Sequence, residues 1–191
     1  MTTPPARHLL DPQNWVSAYA DFLYRYAISR VNNEDQARDL VQETFLAGLQ
    51  SQRNFAGKSS ERTWLTAILK NKIYDVYRKK VNGLKTAEMN DQTGEEPDFF
   101  HEDGHWKQEH QPQAFGVDDF DPLANKELNR VLLLCLQKLP ALWFSVFTMK
   151  HMEDEATEMI CKELRLTQAN FWVIIHRAKL NLRACLQRNW M

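Results

Sequence analysis

With 191 residues, 43% of them hydrophobic and 26% charged, the chain has apolar material for one ordinary core or two small ones and lies outside the composition of disordered proteins. Its longest apolar runs, such as Val131 to Leu136, fall far short of the roughly 20 residues that cross a bilayer, so no membrane insertion is expected. The formal net charge of -1 conceals segments of opposite sign: 11 basic against 8 acidic residues over 11–80, 2 against 11 over 81–125, and 10 against 6 over 126–191. Two basic segments about an acidic tether suit a protein that touches a polyanion at two separated places.

The opening stretch MTTPPARHLL carries no apolar block of signal-peptide length, so residues 1–10 are expected to be a flexible N-terminus and the protein cytoplasmic. From Asp11 to Val31, Trp15, Tyr19, Phe22, Leu23, Tyr26 and Ala27 recur at helical spacing, and Asn32 with Asn33 ends the pattern. Asn33 is a good N-cap for a second helix, with Glu34 and Asp35 where the helix dipole favours negative charge. Ala37, Leu40, Val41, Phe45 and Leu49 mark its core face. Asp39, Gln42, Glu43 and Leu46 make a stripe on the other side, at i, i+3, i+4 and i+7, which could dock another helix. After the turn-like stretch Asn54 to Ser60, a third helix is capped by Ser60 and turns Leu65, Ile68, Leu69, Ile73 and Val76 inward. Its other side interleaves Arg62, Lys70, Lys72, Arg78, Lys79 and Lys80 with Trp64, Tyr74 and Tyr77, a mixture suited to single-stranded nucleic acid. Residues 11–80 therefore read as a three-helix bundle.

Over 81–125 the periodicity vanishes and Gly, Pro, Asp, Glu, Gln and His dominate, which predicts a flexible acidic linker. His101, His105 and His110 in it, and Cys161 with His176 beyond it, fit no standard zinc spacing, so no metal is expected. The second domain, 126–191, opens with a helix from Lys126 to Leu139, broken at Pro140, and continues with a helix over Ala141 to His151. Residues 155–187 have helix-turn-helix proportions: Ile160, Cys161 and Leu164 inside the first helix, Leu166 in the turn, Thr167 as the next cap, and Phe171, Ile175, Ala178 and Leu182 packing back. In such a motif the second helix enters the major groove, which would turn Gln168, Asn170 and Trp172 toward bases and leave Arg177 and Lys179 for phosphates. The fold class expected is all-α, as two small helical domains. Cys135, Cys161 and Cys185, widely spaced and each in an apolar helical pattern, read as reduced thiols.

No glycine-rich phosphate loop, nucleophile elbow or metal-protease helix occurs, and the acidic cluster Asp118, Asp119 and Asp121 lies in an aperiodic segment, so neither catalysis nor a cofactor is expected. A stand-alone helix-turn-helix regulator is the main alternative class, but it leaves the Asp39 to Leu46 stripe and the aromatic, cationic third helix without a role.

Three stretches in order resemble the sigma-70 family of bacterial transcription initiation factors, in its small extracytoplasmic-function group with only the second and fourth conserved regions. They are Asp39-Leu40-Val41-Gln42-Glu43-Thr44-Phe45-Leu46, Arg62-Thr63-Trp64-Leu65 with Asn71, Asp75 and Arg78, and Leu139-Pro140 followed by the helix-turn-helix and His176-Arg177-Ala178. The resemblance implies that Asp39, Gln42, Glu43 and Leu46 contact the clamp helices of the largest subunit of core RNA polymerase. It also implies a flap contact on the second-largest subunit, and an anti-sigma factor as a further partner. The loop from Phe55 to Ser60, with Lys58 and Ser59, would receive a base flipped from the minus-ten element of promoter DNA. Arg62, Trp64, Lys70, Asn71, Arg78 and Lys79 would hold the surrounding strand. Thr167, Gln168, Asn170, Trp172, His176 and Arg177 would meet the minus-thirty-five element. Two departures stand out: Arg165 where the family usually has the turn glycine, and apolar Trp172 and Ile174 where its recognition helix usually carries basic residues.

Overall fold

Asparagine tolerates the left-handed backbone better than most residues, and Asn32, at φ 54° and ψ 35°, is where the first helix stops. In the computed structural model, which describes residues 10–83, 99–108, 111 and 122–190, the chain divides into two compact units, Met1–Val76 and Tyr77–Met191. Both are helical, and the described residues contain no strand, only an isolated bridge between Phe100 and Trp106. Residues 1–9, His110 and the cluster Asp118, Asp119 and Asp121 lie outside the described residues.

In the first unit a 3-10 turn, Pro12–Asn14, leads into α1 (Trp15–Val31), which buries Trp15, Leu23, Ala27 and Val31. Asn33 caps α2 (Glu34–Ser51): its Oδ1 accepts from the Gln36 N–H at 2.8 Å, relieving one of the unpaired donors at a helix start. The inner face of α2 is Ala37, Leu40, Val41, Thr44 and Gly48, at i, i+3, i+4, i+7 and i+11. Leu49, expected in the core, is 46% exposed. The stripe closes on Gly48 instead, because Trp15 of α1 and Leu65 of the third helix press onto that backbone. A Cβ at Gly48 would lie 2.9 Å from Cζ3 of Trp15 and 3.0 Å from Cδ2 of Leu65. Helix α3 (Glu61–Gly83) starts at Ser60, whose Oγ accepts from the Thr63 N–H at 3.2 Å, and it buries Leu65, Leu69 and Ile73. The division between the units falls within α3.

The second unit contains α4 (Pro122–Gln137), α5 (Ala141–His151), α6 (Thr157–Leu164) and α7 (Gln168–Trp190). Pro140, at φ -51°, separates α4 from α5, and α7 packs on α4, α5 and α6. The core joins Val146 and Met149 of α5, Ile160 of α6, and Phe171 and Ala178 of α7, all fully buried or nearly so. The cysteines are not the three reduced thiols expected from their spacing. Cys135 of α4 and Cys185 of α7 form a disulfide with Cα atoms 5.8 Å apart, 50 residues apart in sequence; only Cys161 is free, and it is buried. Helix packing makes that pairing, which is invisible to residue spacing. Burial first, and then the Glu158 carboxylate, push the Cys161 thiol pKa up, which keeps it protonated and inert.

Residues 99–108, in a stretch without periodicity, close a tight turn. His101 N–H donates to the His105 carbonyl at 2.8 Å and Lys107 N–H to the Phe99 carbonyl at 3.0 Å. Phe99 is buried, and the Trp106 ring lies 4.4 Å from the Arg183 guanidinium of α7, a cation–π contact.

Candidate functional site

The inner stripe of α2 fixes what its other face offers. Asp39, Gln42 and Glu43 are exposed, Leu46 is 59% exposed, and Leu49 stands one turn further on the same side. The result is a polar patch that ends in two apolar side chains. Leu49 belongs to it, although helical spacing alone turns it inward. Glu43 is held by Lys72 of α3 at 3.0 Å, while Arg38 beside the patch is taken up by Glu34 and Asp35 of its own helix.

Glu61, the first residue of α3, organises the corner between α1 and the loop after α2. One of its oxygens accepts from Trp15 Nε1 at 2.8 Å and from the Asp11 N–H; the other accepts from Tyr19 Oη at 3.0 Å. Burial, and then the hydrogen bond to Glu61, raise the Tyr19 pKa, so the phenol stays a donor. Sequence periodicity gives no signal for Glu61, since a carboxylate in a first helical turn needs no partner to be explained. Above this clasp Trp64 is half-buried between Trp15, with ring centroids 6.0 Å apart, and Phe55, at 5.1 Å. Gly57 turns the loop at φ 68°, Lys58 is exposed, and Ser59 is half-buried. The Arg62 guanidinium lies over the Phe22 ring, 3.7 Å from its centroid, and the residue is exposed.

Along α3, Asn71 and Lys79 are exposed and Lys70 is half-buried. Tyr74 and Tyr77 are core residues, 7% and 1% exposed, and offer no stacking face. Arg78, in the second unit, is ion-paired with Glu163 of α6.

The helix-turn-helix is α6, the turn Arg165-Leu166-Thr167, and α7. Arg165 is left-handed at φ 55° and ψ 44°, Leu166 is buried, and Thr167 Oγ1 accepts from the Asn170 N–H at 3.2 Å. Thr167, Gln168, Ala169, Asn170, Trp172, Val173 and His176 are exposed; Arg177 is half-buried. Ile174 is not part of this surface. It is 3% exposed and packs in the core, whereas Val173, 45% exposed, takes the outward place beside Trp172. Beyond this face His151 of α5 stacks against Phe147, and burial, together with the charges of Lys179 and Lys150, lowers its pKa.

Residues 15–82, which run from α1 to the end of α3, match the Sigma-70 region 2 family model. A probable RNA polymerase sigma factor of Haemophilus influenzae is 36% identical over 163 residues, 85% of this chain and 83% of the relative. The chain belongs to the sigma-70 family, in its extracytoplasmic-function group. At 163 residues that alignment of this sigma factor extends well beyond residues 15–82. The ECF RNA polymerase sigma factor SigX of Bacillus subtilis is 37% identical over 62 residues, 32% of each chain, and the sigma factor YlaC of the same organism is 25% identical over 165 residues, 86% of each. A looser likeness, with TM-score 0.45 and 21% identity over 93% of this chain and 97% of the other, is to the sigma factor RpoE in complex with the anti-sigma factor NepR from Bartonella quintana. No helix among the described residues of this sigma factor is long and apolar enough to cross a membrane.

Proposed function

We propose that this sigma factor binds core RNA polymerase and directs promoter-specific initiation, with the outer face of α2 as its principal polymerase contact. The observation that carries this is the division of α2 into a buried stripe ending at Gly48 and an exposed stripe of Asp39, Gln42, Glu43, Leu46 and Leu49. Acidic and amide groups next to exposed leucines fit a partner that presents a cationic, partly apolar helix pair, and the clamp helices of the largest subunit are the surface assigned to them. The second unit meets the flap of the second-largest subunit. Phe55, Lys58, Ser59, Arg62, Trp64, Lys70, Asn71, Arg78 and Lys79 serve the minus-ten element. In this arrangement Trp64 and Phe55 wall the loop and the cations hold the strand. Thr167, Gln168, Asn170, Trp172, His176 and Arg177 serve the minus-thirty-five element. An anti-sigma factor masks these surfaces, the protein works in the cytoplasm, and the chain alone performs no catalytic step.

Asp39→Arg tests the docking face better than a change at Glu43, whose reversal would also strand Lys72 of α3. Affinity for sigma-free core polymerase should fall at least about tenfold, as for a charge reversed at an interface, while circular dichroism and melting stay unchanged. Undiminished affinity would place the polymerase contact elsewhere. Promoter fragments bound without any core polymerase would instead favour a stand-alone regulator.

A further inference from the structure

We propose that Trp172 and Val173 read thymine by its C5-methyl group, making the upstream element of this factor's promoters a methyl-read, thymine-containing sequence. The inference rests on α7 being the helix that meets the minus-thirty-five element, and it names how that helix chooses bases.

The outward face of α7 runs through Ala169, Trp172, Val173 and His176, at i, i+3, i+4 and i+7. Trp172 is 58% exposed and Val173 45%, whereas every other large apolar side chain in the first half of the helix, Phe171, Ile174 and Ile175, is buried. The core does not need these two residues. Nor is the helix shaped for a generic apolar partner: its 23 residues include no Asp or Glu and carry Arg177, Lys179, Arg183 and Arg188. A carboxylate-free cationic helix with a polar N-terminal turn of Thr167, Gln168 and Asn170 is complementary to a polyanionic groove.

In the major groove, guanine and adenine offer acceptors at N7, and cytosine offers an amino donor. Thymine alone offers a methyl group. A valine can form no hydrogen bond, and tryptophan has a single N–H donor, so a face built on them cannot make the bidentate contacts that select guanine or adenine. The absence of carboxylates on α7 likewise removes the usual acceptor for the cytosine amino group. What remains at the centre of the face is apolar contact, and the thymine methyl is its one apolar counterpart on a base edge. Gln168 and Asn170, one turn earlier, would add hydrogen bonds to a neighbouring base.

The test uses the full chain bound to sigma-free core polymerase and a library of duplexes randomised across both promoter elements, with transcribed templates recovered and sequenced. Thymine should be enriched in the upstream element. Each enriched thymine is then replaced by 2′-deoxyuridine, which removes the methyl and nothing else. Transcription at limiting holoenzyme should fall about fourfold for each methyl read, the effect of one buried methylene. In Trp172→Ala, whose circular dichroism and core binding should match the parent, the uracil penalty should shrink toward one. An upstream element without thymine, an absent uracil penalty, or an equal penalty in Trp172→Ala would overturn the proposal. A Trp172→Ala protein that loses core affinity and keeps its base preference would overturn it too, by making the patch a protein contact. If the wild-type protein transcribes nothing from the library, the assignment as initiation factor fails and this inference falls with it. Transcription without any upstream preference sinks only the inference.

Discussion

Arg165 carries a backbone conformation that its side chain opposes. At φ 55° and ψ 44° its Cβ crowds the neighbouring carbonyl, a cost of about 1 to 2 kcal/mol for an L residue, and the family's usual residue at this turn, glycine, avoids it. The conformation persists because the motif holds it from both sides: the Arg165 N–H donates to the Cys161 carbonyl, as does that of Leu166 at 2.9 Å, and Leu166 is buried behind it. Arg165 is itself exposed, so its replacement removes no packing. Arg165→Gly should therefore stabilise the second unit by about 1 kcal/mol, once the greater freedom of glycine in the unfolded chain offsets part of the relief. Urea unfolding would register this as a higher midpoint with an unchanged slope, and a lower midpoint would mean that the arginine side chain holds the turn together. Glu61 is the opposite kind of residue: nothing in its backbone is unusual, yet it accepts from Trp15, Tyr19 and Asp11 and so fixes where α3 begins.

Much of each helix could be read from local chemistry alone. The caps Asn33, Ser60 and Thr167 act through side-chain oxygens on amides within the next turn, and each makes its expected bond. The core of the helix-turn-helix follows the same logic, because Ile160, Cys161, Leu164, Phe171, Ile175, Ala178 and Leu182 repeat at helical spacing and are all buried. What escaped is what another element decides. Leu49 looks like a core residue until Trp15 occupies the space above Gly48; Ile174 and Val173 are equally apolar, and only the position of α7 against its neighbours makes one core and the other surface. The disulfide is the clearest case, since Cys135 and Cys185 meet only where α4 packs on α7. Closing a loop of that length removes freedom from the unfolded chain worth about 4 kcal/mol in the chain-entropy picture. The oxidised protein should therefore show no thiol reactive toward a disulfide reagent when native, one when denatured, and three after reduction. Its second unit should also melt several degrees lower in reductant, a shift absent from a Cys135→Ser, Cys185→Ser double variant. Two reactive thiols in the native, non-reduced protein would show the pair to be open.

Across the whole chain the charges are sorted, not balanced. Both helical segments are basic and the stretch between them carries 11 acidic residues against 2 basic ones, so the formal net charge of -1 is a cancellation along the sequence. Phosphate contacts supply most of the non-specific attraction of any protein for DNA, and that attraction scales with the positive charge a phosphate chain senses. An anionic segment in the same chain as two cationic ones is expected to compete with DNA for their cations at no translational cost. The free chain should then bind arbitrary DNA weakly, leaving promoter contact to the assembled holoenzyme. Changing Asp91, Glu95, Glu96 and Asp98 to the corresponding amides removes four of these charges without touching the turn at 99–108. Affinity of the free protein for a random-sequence duplex should rise several-fold at about 50 mM salt, and most of that gain should be gone by about 300 mM, where the screening length has shortened. Fluorescence anisotropy at the two salt concentrations separates the possibilities. An unchanged affinity at low salt would mean that the acidic segment does not reach the basic surfaces, and a gain that survives high salt would mean that the amides make contacts of their own.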